Sequence, residues 1–165
     1  MFVSPSNDPV AAATTGPLVS ALREIGYRPQ VINGDTQFYR LLGDPHGRWS
    51  ISDGDWVADY PSPSQFLDYF LSCANYHPDD PARTSNAGGF CDAGFDHLVQ
   101  QAETLQLTDP VAAQGIWARA DRLAVDQAAW VPLVNTGYAQ LLSGRTGHFS
   151  LDANGLPRID QLWVR

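Results

Sequence analysis

Trp56-Val57-Ala58-Asp59-Tyr60-Pro61-Ser62-Pro63-Ser64-Gln65-Phe66 is the stretch on which the fold turns: an apolar strand end hands a carboxylate to a turn, and a helix begins directly after it. Ser62 is a favourable N-cap, and Pro63 suits the first helical position, where a missing N–H costs little. Gln65 stands where a capping-box partner would reach back to the Ser62 backbone. Asp59, at the carboxyl end of the strand, occupies the place where open α/β sheets bind ligands. An aspartate at such a corner also serves as a plain turn residue, and Trp56 as plain core. On the residues alone both readings stay open.

Upstream, Phe2 and Val3 begin an apolar run closed by Pro5, which predicts a first strand. Asp8-Pro9 starts a helix whose apolar face is Leu18, Val19, Leu22 and Ile25, with Gly26 as its stop and Gly16-Pro17 as an expected kink or late start. Val31 and Ile32 predict a second strand, and strand-helix-strand order implies a parallel pair with a right-handed crossover. Asp35 or Thr36 can cap a short helix carrying Phe38, Leu41 and Leu42, ended by Gly43 and followed by a turn at Asp44-Pro45-His46-Gly47. Residues 49–58 read as the strand entering the central motif, although Gly54 breaks its alternation.

Downstream, Phe66, Leu67, Phe70 and Leu71 share a helix face. Residues 74–90 form a long loop of Pro, Asp, Asn and Gly, either functional or simply surface. Phe95, Leu98, Val99, Ala102 and Leu105 trace a helix capped by Asp92. A longer helix opened by Asp109-Pro110 turns Ile116, Trp117, Ala120, Leu123 and Ala124 inward and Arg119, Arg122 and Asp126 outward. Residues 131–135 and 138–142 read as strands, 144–155 as irregular chain, and 161–164 as a last short strand.

The chain of 165 residues is long enough for one domain with a substantial core, and no apolar stretch approaches the roughly 18 residues of a membrane span. A formal charge of -8, with every basic residue an arginine, argues against a nucleic-acid-binding surface. Met1-Phe2-Val3-Ser4-Pro5 lacks a basic region followed by an apolar one, so no export signal is read in the chain. No Gly-x-Gly-x-x-Gly or phosphate-binding loop supports a nucleotide, and no Gly-x-Ser-x-Gly marks a nucleophilic serine. Asp53, Asp55 and Asp59 lack the spacing of a calcium loop. A paired-carboxylate hydrolase would need two of them on one strand face, a register Gly54 undermines, so Asp53 and Asp55 are read as solvated. Cys73 and Cys91 could form a disulfide, remain free thiols, or make half a zinc site with His77 and His97. The cysteines stand farther apart than the two to four residues usual in structural zinc pairs.

Several of these motifs, in this order, resemble a known family. Trp56-x-Ala58-Asp59-Tyr60-Pro61-x-Pro63-x-x-Phe66-Leu67 is followed by Ser72-Cys73, then Phe90-Cys91-Asp92, Asp109-Pro110, Trp130-Val131-Pro132-Leu133-Val134-Asn135, and the closing Asp160-Gln161-Leu162-Trp163-Val164-Arg165. Together they resemble the C-terminal lobe of the dipeptide- and oligopeptide-binding proteins that serve ABC transporters, extracellular solute-binding protein family 5. The resemblance covers nearly the whole chain.

It implies an α/β fold, one lobe of the type II periplasmic-binding-protein architecture, with a central mixed sheet flanked by helices. Residues 1–143 would be the lobe, and 144–165 a crossover and return segment packing on an N-terminal lobe absent from this chain. The implied function is non-enzymatic: a short peptide or similar solute trapped between lobes by hinge closure, delivered to a transporter permease, outside the cytoplasm. Asp59 would engage the peptide's free amino terminus by a charge-assisted hydrogen bond, with the Trp56 and Tyr60 rings beside it. No catalytic residue, metal or cofactor is implied, and Cys73–Cys91 would be bridged. Because family members are exported, the missing signal leaves two expectations, a fragment or a copy used inside the cell. The alternative function is a sensor or interaction domain of a larger regulatory protein that keeps the fold without transport.

Overall fold

The computed structural model describes residues 2–4, 9–44, 46–135, 137, 139–152 and 155–165. Its first layer is a parallel sheet. β1 (Phe2–Ser4) lies between β2 (Val31–Asn33) and β3 (Ile51–Ser52), with Phe2 opposite both Val31 and Ile51. Helix α1 (Pro9–Glu24) connects β1 to β2, as the strand-helix-strand pattern predicts, and buries Ala11 and Val19. It runs through Pro17 without a late start. Asp8 lies outside the described residues, so its expected part in starting the helix does too. Gly26, at φ 94°, takes the left-handed turn that a side chain would resist.

α2 (Phe38–Leu42) follows a 3-10 turn at Asp35–Gln37. Its N-cap is Gln37, which makes no side-chain cap bond, rather than Thr36, and the Asp35 side chain lies outside the described part of the structure. The tight turn absorbs both positions. β3 is also much shorter than the strand expected over 49–58. Among the described residues it pairs in this sheet with β1 alone, Ile51 opposite Phe2 and Ser52 opposite Val3, and a strand extends only over residues that pair.

The second layer is helical. Ser62 caps a 3-10 turn at Pro63–Gln65, its Oγ accepting from the Ser64 N–H at 3.3 Å, and α3 (Leu67–Leu71) continues from it. α4 (Ala93–Gln106) and α5 (Pro110–Asp126) form a hairpin. Each starts at an aspartate whose carboxylate accepts a backbone N–H: Asp92 from Phe95 at 2.8 Å, Asp109 from Ala112 at 2.9 Å. The Phe95 bond, then one from the Gln127 side chain, holds the Asp92 carboxyl below its ordinary value. The core of this layer is Leu67, Leu71, Phe95, Leu98, Val99, Ala102, Ala113, Trp117, Ala120 and Ala124, so the predicted stripes are core. Arg119, Arg122 and Asp126 face solvent as expected.

The loop after α3 is built rather than loose. Cys73 and Cys91 form a disulfide with Cα atoms 4.6 Å apart, as the resemblance implies, which leaves neither thiol for a metal. Asn86 is fully buried and donates through Nδ2 to the carbonyls of Ser72 and Phe90. A Cβ on Gly43 would come within 2.7 Å of the Pro81 carbonyl, so this loop lies against the end of α2.

Two expectations fail toward the C-terminus. Residues 131–135 are exposed and have no strand pairing among the described residues, and the same holds for 139–142, while Thr136 and Tyr138 lie outside the described residues. Alternation alone is not enough, because an unpaired strand leaves its amide groups to water. Conversely, 144–155 is not wholly irregular: β4 (Thr146–Gly147) pairs antiparallel with β5 (Trp163–Val164), and a Cβ on Gly147 would overlap the Trp163 indole. The parallel and antiparallel pairings of the expected mixed sheet are thus divided between two separate sheets.

Removing the bridge with Cys73→Ser/Cys91→Ser should lower unfolding free energy by about 3 kcal/mol, the chain-entropy value for a loop of this size. Urea unfolding measures it. An unchanged midpoint would mean that the bridge does not stabilise the fold by restricting the unfolded chain.

Candidate ligand-binding site

Between the two layers runs an open cavity of about 2170 Å³, walled by Phe2, Phe38, Trp49, Trp56, Phe70 and Trp117 among others. That exceeds the roughly 1,000 Å³ upper range of ordinary small-ligand pockets, so it has the dimensions of a groove rather than a socket. The central motif forms one rim.

Gln65 organises that rim, though not in the way its spacing suggests. The side chain is buried, at 7% exposure, and its Oε1 accepts the Asp59 N–H at 2.9 Å and the Trp56 indole N–H at 3.3 Å. It does not reach back to Ser62. One carbonyl therefore fixes both the ring and the backbone that carries the carboxylate. Both of its lone pairs are used.

A second chain of bonds ties the motif to the helical core. Ser64 Oγ donates to Ser62 Oγ at 3.1 Å, and Ser62 Oγ donates to Gln106 Oε1 at 3.3 Å. With each serine proton committed in this direction, the 3.0 Å contact between Tyr60 and Ser64 must have the phenol as donor. Gln106 Oε1 also accepts the Trp117 indole N–H at 3.3 Å. The relay thus runs from the exposed Tyr60 to the buried Trp117.

Of the residues read from sequence, Trp56 lines the cavity, half-buried, stacked on Tyr69 at 5.6 Å and meeting Phe70 edge-on at 5.1 Å. Asp59 and Tyr60 are exposed on the motif loop and are not among the residues lining the cavity. The structure therefore joins Trp56 and Asp59 through Gln65, and Tyr60 to the core through the serines. Asp59 does not sit at a strand end, since β3 stops at Ser52. Asp53 does, and the reading of it as solvated is wrong: it is buried at 6% exposure, with Oδ2 accepting from Thr15 Oγ1 at 2.9 Å and Thr14 Oγ1 at 3.3 Å. Asp55 is exposed as expected.

Sequence reasoning missed Tyr69, Gln106 and the role of Gln65. Tyr69 had a findable signal, an aromatic directly beside Phe70 on a helix already assigned. The other two depend on contacts that local spacing does not encode.

No protein-family model matches the chain. Among curated proteins it is 24% identical over 136 residues to the periplasmic oligopeptide-binding protein OppA of Salmonella typhimurium, covering 81% of this chain and 22% of that protein. It is 29% identical over 87 residues to di/tripeptide-binding protein 4 of Pseudomonas aeruginosa, covering 53% of this chain and 15% of that protein. The chain thus spans about 22% or less of the length of these relatives. Among solved structures it superposes over 100% of its length on 32% of the dipeptide binding protein of Pseudoalteromonas sp. SM9913 in complex with Met-Leu, with TM-score 0.75 and 22% identity. Against the periplasmic binding protein DppA of Helicobacter pylori in complex with peptide STSA, it covers 80% of this chain and 24% of that one, with TM-score 0.62 and 18% identity. All of these are binding proteins. Among the described residues, no helix is long and apolar enough to cross a membrane.

Gln65→Leu should strand the Trp56 and Asp59 N–H groups and cost about 1 to 3 kcal/mol, the usual penalty for a buried donor losing its acceptor. Urea unfolding combined with exchange of the Trp56 indole proton reads it out. Unchanged stability and exchange would remove Gln65 as the organiser of the rim. Sequence relatives and fold neighbours agree: the chain has the fold of one α/β lobe of a family 5 solute-binding protein.

Proposed function

We propose that this chain is one jaw of a peptide receptor of an ABC transporter, in which Asp59 accepts the free amino group of a short peptide beside the Trp56 and Tyr60 rings. The observation that carries the reading is the shared grip of Gln65 on the Trp56 indole and the Asp59 amide, which ties the backbone that bears the carboxylate to an aromatic side chain. Such a pair suits an ammonium group, which gains a charge-assisted hydrogen bond and a cation-π contact together. The peptide-binding names of the relatives support the same ligand class.

In this reading residues 1–143 form the lobe and 144–165 the return segment against an N-terminal lobe, which supplies the other wall of the cleft. The separation of the β4–β5 hairpin from the parallel sheet and the exposed apolar residues Val131, Val134 and Leu141 support that division. The complete receptor works outside the cytoplasm and hands its peptide to a permease.

A cleft needs both walls, so the isolated chain should bind di- and tripeptides no better than millimolar, about -4 kcal/mol. Micromolar calorimetric binding by this chain alone would contradict the one-jaw reading. With an N-terminal lobe fused ahead of Met1, Asp59→Asn should weaken peptide binding by about 2 to 5 kcal/mol, roughly thirtyfold or more, as should acetylating the peptide amine. Asp55→Asn, an exposed change, should stay within roughly threefold. If Asp59→Asn binds as the parent does, Asp59 is only a turn residue.

A further inference from the structure

The parallel sheet places a different carboxylate at the carboxyl end of a strand. Asp53 directly follows β3, buried and lining the cavity. Its Oδ2 rests on the Thr14 and Thr15 hydroxyls of α1, and Thr15 Oγ1 is in turn 2.8 Å from Ser4 Oγ at the end of β1. Each threonine has one proton, and backbone carbonyls compete for it: Val10 at 3.0 Å from Thr14, Ala11 at 2.7 Å from Thr15. The threonines therefore hold the carboxylate in place while sharing their protons with the helix backbone. Asp53 Oδ1 is buried with no hydrogen-bond partner among the described residues.

The surroundings select for a cation. Among the described residues lining the cavity, Asp53, Asp55, Asp80 and Asp121 stand against a single basic side chain, Arg40, and its Nε is committed to Gln37 Oε1 at 2.6 Å. Walls of Trp49, Trp56 and Phe38 suit an organic cation through their ring faces. They do not suit calcium or magnesium, which need about six oxygen ligands. Among the described residues, no group of three or more carboxylate, histidine or cysteine side chains is gathered for a metal.

We infer that Asp53 anchors a second subsite, which takes the guanidinium or ammonium group of a basic side chain in the bound peptide. The inference rests on the peptide-receptor reading and adds a preference to it: ligands carrying arginine or lysine. Oδ1 is covered in this structure, so the incoming group reaches it by displacing neighbouring side chains. Thr14 and Thr15 are positioning residues that aim the carboxylate. Asp59, exposed on the motif loop, serves the peptide amine separately.

The probes are N-acetyl-arginine amide and its neutral isostere N-acetyl-citrulline amide, titrated into the ¹⁵N-labelled chain by NMR. Neither has a free amino terminus, so failure of the Asp59 reading would not move this result. The parent chain should bind the arginine probe at least tenfold more tightly, with the largest shifts at the Asp53 and Gly54 amides. Asp53→Asn should abolish the preference, and Asp59→Asn should keep it. Equal binding of the two probes, no arginine binding up to the solubility limit, shifts centred on Asp59, or a preference that survives Asp53→Asn would each overturn the inference. The parent comparison and its shift map decide the matter even if Asp53→Asn does not fold.

Discussion

Everything on the motif side of the molecule hangs on how closely α4 and α5 can approach. Ala102 on α4 and Ala120 and Ala124 on α5 are completely buried, and small side chains there let the two backbones come together while Phe95 and Trp117 fill the space at their flanks. Interiors pack at crystal-like density, so enlarging any of these alanines would force the hairpin apart. α3 sits on this platform through Leu67 and Leu71, and the turn that begins it carries Gln65. The position of the motif is thus an indirect consequence of helix packing.

From that platform a chain of polar contacts leads outward to the exposed loop. Trp117 and Gln106 belong to the helical layer, Ser62 and Ser64 to the turn, and Tyr60 to the exposed loop. A binding carboxylate works best when its geometry is fixed before the ligand arrives, because less ordering is left to oppose association. At Asp53 two threonines on a helix fix the carboxylate itself, whereas Gln65 on its turn fixes the Asp59 backbone. The Asp53 carboxylate in the cavity wall is therefore oriented by threonine hydroxyls, and the Asp59 backbone on the motif loop is held by the Gln65 amide.

What could be read in the sequence was what local chemistry decides. Asp92 and Asp109 announced their helices because a cap acts within three residues, and the apolar stripes of α4 and α5 follow the helical repeat. The length of β3 could not be read, because it is set by pairing with β1, a contact remote in sequence. Gln65 has the spacing of a capping box, but its amide found better partners across the loop than at Ser62. Asp53 looked like one more acid in a polar turn, since the threonines that bury it come from α1. Residues 131–135 have the pattern of a strand and pair with no other strand among the described residues. The Cys73–Cys91 pairing was legible only through the family resemblance, as spacing left it open.

The central claim is that the Gln65-held pair of Trp56 and Asp59 meets a peptide's free amine. Its most direct test is an NMR titration of the ¹⁵N-labelled chain with a dipeptide and with the same dipeptide acetylated at its amino terminus. The Asp59 amide and the Trp56 indole, bonded to one oxygen, should shift together with the free dipeptide and stay put with the acetylated one. Equal shifts with both ligands, or shifts that leave these two protons untouched, would contradict the account.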